Sequence, residues 1–221
     1  MPLPGYVRSM IDEALTEISL DSEHHFTLTR RFALYKALGS PDPQPSILNP
    51  FRGWLGVLTA KYVLPIWHQA LPIWEDIPPD LPDDNRLPDQ LITTAEGVLS
   101  GTTSLEVAQK EAADQWYIVG NIGDEFSAYR DDKPVTVYFA CDAALKALCE
   151  ALNQEFLGKL RNWEKYTDDN LPDFVRDSAS SAVVAYAGNN ESGEVNIDKR
   201  QEFWEWWLSE AMPLAWERSG R

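Results

Sequence analysis

Two short acidic clusters are the part of this sequence whose residue types and spacing could do chemistry. Asp83 and Asp84 begin one Asp-Asp-Asn segment, Asp168 and Asp169 begin another, and Leu-Pro-Asp follows each of them. Neighbouring carboxylates can bind Mg²⁺ and, through it, a diphosphate substrate. They can equally attract the basic surface of another protein. The sequence thus raises two hypotheses, a metal site and a partner-binding site, and in the second hypothesis Asp80 extends the first acidic cluster.

The spacing of these carboxylates does not favour the metal site. A diphosphate enzyme of this kind needs carboxylates one turn apart on facing helices, whereas Pro88 and Pro172 place these aspartates in loops. The histidines His24, His25 and His68 lack the spacing of zinc ligands, and we expect the first two to be solvated at a helix end. The sequence also contains no nucleophile elbow, phosphate-binding loop or dinucleotide fingerprint. We therefore predict no catalytic residue, no metal and no cofactor, and a Mg-dependent all-α enzyme is the least favoured alternative.

The composition favours an acidic, folded protein with a protein partner. A net charge of −16 repels the phosphates of nucleic acids and anionic membranes, so we expect neither as a partner, whereas a basic protein complements this charge. The two cysteines, Cys141 and Cys149, lie in one predicted helix about 12 Å apart along its axis, too far for a disulfide between them. Because the first ten residues also lack the pattern of a signal peptide, we expect a cytoplasmic location.

Apolar residues recur at intervals of three and four along most of the chain, which is the spacing of helices with one buried face. We predict an all-α protein, an irregular multi-helix bundle of about eight helices, with residues 1–221 forming a single domain. The segment VTVYFA has strand propensity, but the helical period continues through it and predicts a helix. The predicted boundaries are a C-cap at Gly39, starts at Asn49, at the Thr103 and Glu106 capping box and at Pro134, a kink at Pro65 and a bend at Pro213.

The two Leu-Pro-Asp motifs belong to longer segments that resemble each other. Each is preceded by Trp-Glu and an acidic linker, and each is followed by an apolar stripe and a glycine, Gly101 or Gly188. We expect each helix to begin at its proline, with Leu87 and Leu171 packed in the core. When the prolines are aligned, the stripe Leu91, Ala95, Val98 and Leu99 corresponds to Val175, Ala179, Ala182 and Val183. This correspondence predicts two related helix-pair units, with a chance match as the alternative.

Tryptophan is abundant near the C-terminus, where it can fill the core or anchor a partner. Four of the nine tryptophans lie between Trp204 and Trp216. Trp206 falls outside the helical stripe that contains Trp207 and Leu208. An exposed Trp206 would provide an anchor for another chain, and packing of Trp206 against a neighbouring helix is the alternative. The candidate partner-binding residues are therefore Asp80, Asp83, Asp84, Asp168, Asp169 and Trp206.

The segments WHQALPIWEDIPPDLPDDNRLPDQLITTAEGVLSG and FWEWWLSEAMPLAWE together resemble the all-α immunity protein family numbered five in bacterial polymorphic-toxin systems. The shared pattern is a Trp-rich helix, a linker rich in Pro and Asp, a helix that ends in small residues and Gly, and a closing Trp-Trp-Leu segment. The resemblance implies that the chain binds and neutralises a toxin domain encoded beside it, in the cytoplasm and without catalysis. It implies no particular site residue or oligomeric state. A non-catalytic helical interaction scaffold is the alternative.

Overall fold

The computed structural model describes residues 2–38, 50–70, 86–128, 135–154, 166–172, 175–188 and 195–220, with 124–128 described as helical backbone alone. Within these ranges all regular structure is helical, which confirms the all-α prediction. The helices are α1 (Gly5–Leu20), α2 (Leu28–Ala37), α3 (Pro50–Ala70), α4 (Leu87–Ser100), α5 (Leu105–Ala128), α6 (Thr136–Ala151), α7 (Ser178–Ala187), α8 (Ile197–Trp206) and α9 (Met212–Arg218), with a π-helical turn (Trp207–Ala211) joining the last two. None of the described helices combines the length and the apolar character needed to cross a bilayer.

Helix α6 is the centre of the fold. Every residue from Val137 to Ala151 is buried, and α3, α4, α5 and α7 all pack against this helix. Such burial on all sides is expected of a helix in the middle of a core. The segment VTVYFA lies within or next to α6, so its helical period and not its strand propensity decided its structure. Cys141 and Cys149 are both buried and unbridged, as predicted.

Helix α3 approaches α6 closely because glycines lie at the contact. A Cβ atom built on Gly53 would lie 3.0 Å from Cα of Ala151 and 2.6 Å from Cδ2 of Leu99. A Cβ on Gly56 would lie 3.2 Å from Cα of Ala147 and would also overlap the Glu150 carboxylate. The two glycines therefore allow the backbones of α3 and α6 to pack without intervening side chains.

Several predicted helix boundaries can be compared with the structure. Gly101 ends α4 with φ of 76° and Gly188 ends α7 with φ of 79°, conformations that favour glycine. The capping box at Thr103 is wrong by one residue, because the Ser104 hydroxyl accepts the hydrogen bond from the Val107 N–H, at 3.3 Å. Pro65 lies inside α3. The boundaries predicted at Gly39, Asn49 and Pro134 and the two Trp-Glu pairs lie outside the described residues.

The two Leu-Pro-Asp segments share buried leucines but start their helices differently. Leu87 and Leu171 are each 2% exposed, as predicted, and α4 begins at Leu87 with Pro88 in its first turn. The prediction that the second helix begins at Pro172 is wrong, because α7 begins at Ser178. The Asp177 side chain accepts a hydrogen bond from the Ser180 N–H at 2.8 Å, and this cap places the helix start. The two segments therefore share the burial of their leucines, whereas their helices begin at different positions relative to the proline.

Charged side chains of α6 bind the N-terminal turn of α7 inside the core. The Glu150 carboxylate accepts hydrogen bonds from the Ser178 N–H (3.1 Å) and hydroxyl (2.7 Å), and Asp142 accepts one from the Ser181 hydroxyl (2.6 Å). Glu150 thus satisfies a free N–H and lies at the positive end of the helix dipole. Burial, opposed by the positive charge of Arg52, raises the pKa of Glu150 to about 7.

We expect Gly53→Ala to lower the free energy of unfolding by about 1 to 3 kcal/mol, because the new methyl group would force α3 away from α6. Gly120→Ala is the matched control, since a Cβ at Gly120 meets no atom within 4 Å. That control should gain about 0.5 to 1 kcal/mol from its higher helix propensity. Urea unfolding followed by circular dichroism measures both changes. Equal effects of the two substitutions would contradict close packing at Gly53.

We expect the stability of the protein to fall between pH 4.5 and about 7 through Glu150. The folded protein holds the proton of Glu150 up to about pH 7, while the unfolded chain releases it near its ordinary pKa of 4.5. The folded state therefore binds more protons in this window, and its stability decreases as pH rises, on the order of 2 kcal/mol. Urea titrations of the wild type and Glu150→Gln across this window test the effect, because Gln cannot titrate and should remove this part of the decline. The exposed substitution Glu106→Gln should retain it.

Candidate partner-binding site

Asp168 is buried, whereas the partner-binding site suggested by the sequence requires an exposed carboxylate. Its side chain is 3% exposed, and its Oδ1 accepts a hydrogen bond from Arg31 Nη2 at 3.1 Å. The backbone carbonyl of Asp168 accepts another from Arg176 Nη1 at 2.6 Å. Arg31 lies on the buried face of α2, where Leu28 and Leu34 are also buried. The arginine within that apolar stripe was the available sequence signal for a buried carboxylate, but nothing in the stripe identifies which carboxylate it binds.

Asp169 is buried for a similar reason, at 6% exposure. Its Oδ1 accepts a hydrogen bond from Arg200 Nη2 at 2.6 Å, and its Oδ2 lies 3.3 Å from His25 Nε2. Burial by itself would raise the pKa of Asp169, but the contacts with His25 and the positive charge of Arg200 hold this pKa below its ordinary value. Asp169 therefore connects Arg200 of α8 to His25, which lies in the segment before α2. This role is structural and differs from the exposed partner contact that the sequence suggested.

Glu23, His25 and Asp169 form a grouping in the described residues whose geometry could hold a metal, with ligand atoms within 4.8 Å of one another. Arg200 already supplies a cation there, because its guanidinium lies 2.8 Å from His25 Nε2 and binds Asp169. The histidines predicted to be solvated at a helix end are partly buried, since His25 contacts Asp169 and His24 Nδ1 lies 2.7 Å from the Ile18 carbonyl. This donor set fits a guanidinium and stabilises the junction of α2 and α8, and we assign no metal to it.

The first acidic linker, with Asp80, Asp83 and Asp84, lies outside the described residues. The described chain resumes at Arg86, beside a polar cleft between α3, α4 and α5. The cleft is lined by His68, Arg86, Asp89, Gln90, Thr93, Thr94 and Glu111. Its groups contact one another, with His68 Nε2 3.4 Å from an Asp89 carboxylate oxygen and the Thr94 hydroxyl donating to Glu111 at 2.8 Å. Because the cleft mixes both signs of charge, its lining does not select one sign of ligand charge.

Trp206 packs against α3 and is still partly exposed. Its ring stacks on that of Tyr62, with centroids 3.9 Å apart and planes inclined by 22°. Tyr186 and Phe203 complete the aromatic cluster, with centroids 5.1 Å and 5.8 Å from that of Tyr62 in edge-on geometry. The aromatic cluster is thus Tyr62, Tyr186, Phe203 and Trp206, contributed by α3, α7 and α8. The alternative predicted from the sequence, that Trp206 packs on a neighbouring helix, is therefore correct for the part of its side chain that contacts Tyr62. The remaining part is exposed.

Exposed carboxylates follow the C-terminal helix beside the aromatic cluster. We call them the acidic face, and they are Asp198, Glu202, Glu205, Glu210 and Glu217. In the π-helical turn the Met212 N–H bonds to the carbonyl of Trp207, five residues earlier. Such a turn contains about one residue more than α-helical geometry, and this extra residue brings Glu210 and Glu217 into line with the earlier carboxylates. Pro213, two residues after the end of the turn, has no N–H to donate to an α-helical hydrogen bond.

The charges of the acidic face act on the aromatic cluster. The pKa of Tyr62 is raised above its ordinary value by burial, by the hydrogen bond and charge interaction with Tyr186, and by the negative charges of Glu202 and Glu210. Both carboxylates are therefore near the ring that stacks on Trp206. Trp206 could be identified from the sequence, whereas Tyr62, Glu202 and Glu210 could not, because the contact between α3 and α8 has no local sequence signal.

We expect Asp169→Asn to lower the free energy of unfolding by about 3 to 5 kcal/mol, because it leaves the buried Arg200 without its carboxylate partner. Asp168→Asn should lower it by about 1 to 3 kcal/mol, because Arg31 loses one carboxylate and keeps its contact with Asp177. Asp12→Asn, on the exposed face of α1, is the matched control and should change stability by less than about 0.5 kcal/mol. Denaturant unfolding of the three variants measures these differences. If Asp168→Asn and Asp169→Asn change the free energy of unfolding as little as Asp12→Asn does, the arginine contacts do not stabilise the fold.

The comparison with protein families agrees with the sequence resemblance. A family model described as Immunity protein Imm5 matches residues 11–214 of the 221-residue chain. A comparison with curated proteins finds no match. Because the family model covers nearly the whole chain, including the aromatic cluster and most of the acidic face, this protein belongs to the Imm5 immunity protein family.

Proposed function

We propose that this protein neutralises a polymorphic-toxin domain by binding it directly in the bacterial cytoplasm. Membership of the Imm5 family is the observation that carries the proposal. An immunity protein of this kind protects the cell that makes the toxin, so the toxin is expected to be encoded beside it. The partner is a protein, and the mechanism is occupation of the toxin surface without chemical conversion.

The distribution of charge supports a basic toxin as the partner. Among the described residues, the buried basic side chains Arg31, Arg52, Lys146, Arg176 and Arg200 are balanced by the buried acidic side chains Asp142, Glu150, Asp168, Asp169 and Asp177. The net charge of −16 is therefore carried by the remaining residues of the chain. An acidic surface repels nucleic acid and anionic membranes, whereas it accelerates encounter with a basic protein.

The use of the buried ionisable groups supports binding over catalysis. Glu150 binds the start of α7, Asp177 caps that helix and contacts Arg31, and Asp169 binds Arg200. These contacts engage the carboxylates with the fold, as expected of structural groups. The Mg-dependent enzyme hypothesis required free acidic clusters on facing helices, and the second of its two clusters is occupied by arginines.

We expect co-expression of this chain to restore growth to cells that express the neighbouring toxin, and we expect the purified proteins to form a complex. The triple substitution Asp80→Asn, Asp83→Asn and Asp84→Asn should slow association more than it speeds dissociation, because electrostatic steering acts mainly on encounter. The association rate of the wild type should also fall as salt is raised from 50 to about 300 mM. Stopped-flow or biosensor kinetics measure both rates.

Asp12→Asn, Glu106→Asn and Asp114→Asn together form the matched control, since they remove three exposed carboxylates from α1 and α5. If both triple variants associate equally slowly, overall charge is sufficient and the first linker has no particular role. If growth is not restored and the proteins form no complex at micromolar concentration, toxin neutralisation is wrong and the helical scaffold replaces it.

A further inference from the structure

The aromatic cluster already accepts a cation from its own chain. The ammonium group of Lys199 lies 5.2 Å from the ring centroid of Tyr186, which is within the range of cation–π attraction. In α9, the Arg218 guanidinium lies 5.3 Å from the ring centroid of Trp54. Aromatic rings of this protein therefore present electron-rich faces to basic side chains, and the partly exposed Trp206 belongs to the same aromatic cluster as Tyr186.

Carboxylates flank these rings. Glu202 precedes Trp206 by one helical turn and Glu210 follows it across the π-helical turn, and both are exposed. A basic side chain placed against Trp206 would therefore meet a ring and two carboxylates together. This combination complements lysine or arginine, because the ring contributes cation–π attraction and the carboxylates contribute charge-assisted hydrogen bonds.

We propose that the exposed part of Trp206, together with Glu202 and Glu210, is the docking surface for the toxin and receives a lysine or arginine side chain of that partner. This inference rests on the proposed function and specifies its interface. The rigid stack of Trp206 on Tyr62 holds the indole in place before binding, which lowers the entropy lost on association. The remaining carboxylates of the acidic face extend the complementary charge along one side of the helix.

The outer face of α5 is a larger exposed apolar surface, but it lacks this complementarity. Tyr117 is 72% exposed and Val107 is 58% exposed there. The charged residues of that face, Glu106, Lys110 and Asp114, include both signs. No contact among the described residues indicates a partner for the outer face of α5, so its residues provide the control surface.

The test compares three variants of the full chain for binding to the purified toxin domain encoded beside its gene, inactivated by substitution. The first carries Glu202→Gln and Glu210→Gln, which remove exposed charges while preserving side-chain shape. The second carries Trp206→Leu. The third, the matched control, carries Glu106→Gln and Asp114→Asn. Thermal melts monitored by circular dichroism check that each variant is folded.

The double glutamate variant should dissociate at least about 10-fold faster than the wild type, because contacting charge pairs act mainly on dissociation. Trp206→Leu should weaken binding by about 3- to 30-fold, and the control should stay within about twofold. If the wild type binds and the double glutamate variant dissociates at the wild-type rate, this docking surface is wrong while toxin neutralisation stands, whether or not Trp206→Leu folds. If the wild type forms no complex, the proposed function fails and the docking surface fails with it.

Discussion

The fold depends on charges that are buried in pairs around the central helix. Helix α6 lies at the centre of the core and still carries Asp142, Lys146 and Glu150 on its buried surface. Such groups would oppose folding if they were isolated, since an unpaired charge in the interior costs several kcal/mol. The Ser178 and Ser181 contacts compensate two of them and place the start of α7. A core of this kind favours one arrangement of its helices, because sliding α7 would break the hydrogen bonds that its serines donate to both buried carboxylates.

The same pairing separates the stabilising charges from the charges available to a partner. Arginines from α2 and α8 bind Asp168 and Asp169, so the second acidic cluster belongs to the interior. The acidic face of the C-terminal helix is exposed and lies beside an aromatic cluster. Identical residue types therefore have opposite roles, and the difference arises from the presence or absence of an arginine on the neighbouring helix.

The sequence predicted what depends on local spacing and missed what depends on distant partners. Periodicity identified α6 as a helix, and the positive φ expected of glycine correctly ended α4 at Gly101. Burial of Leu87 and Leu171 followed from their position beside prolines. The environment of Asp168 could not be predicted in this way, because its partner Arg31 is 137 residues distant. The proline at position 172 does not start α7, because the Asp177 side chain caps the helix five residues later.

The π-helical turn makes the backbone geometry of the C-terminal helix as informative as its composition. If Trp207–Ala211 formed a uniform α-helix with the same residues, everything after the turn would be rotated by about 100° relative to α8. Glu210 and Glu217 would then point away from Glu202, although the sequence would be unchanged. The buried residues Met212 and Ala215 would be rotated by the same angle and would leave the core. The packing of α9 and the direction of its carboxylates therefore depend together on the one extra residue that this turn accommodates.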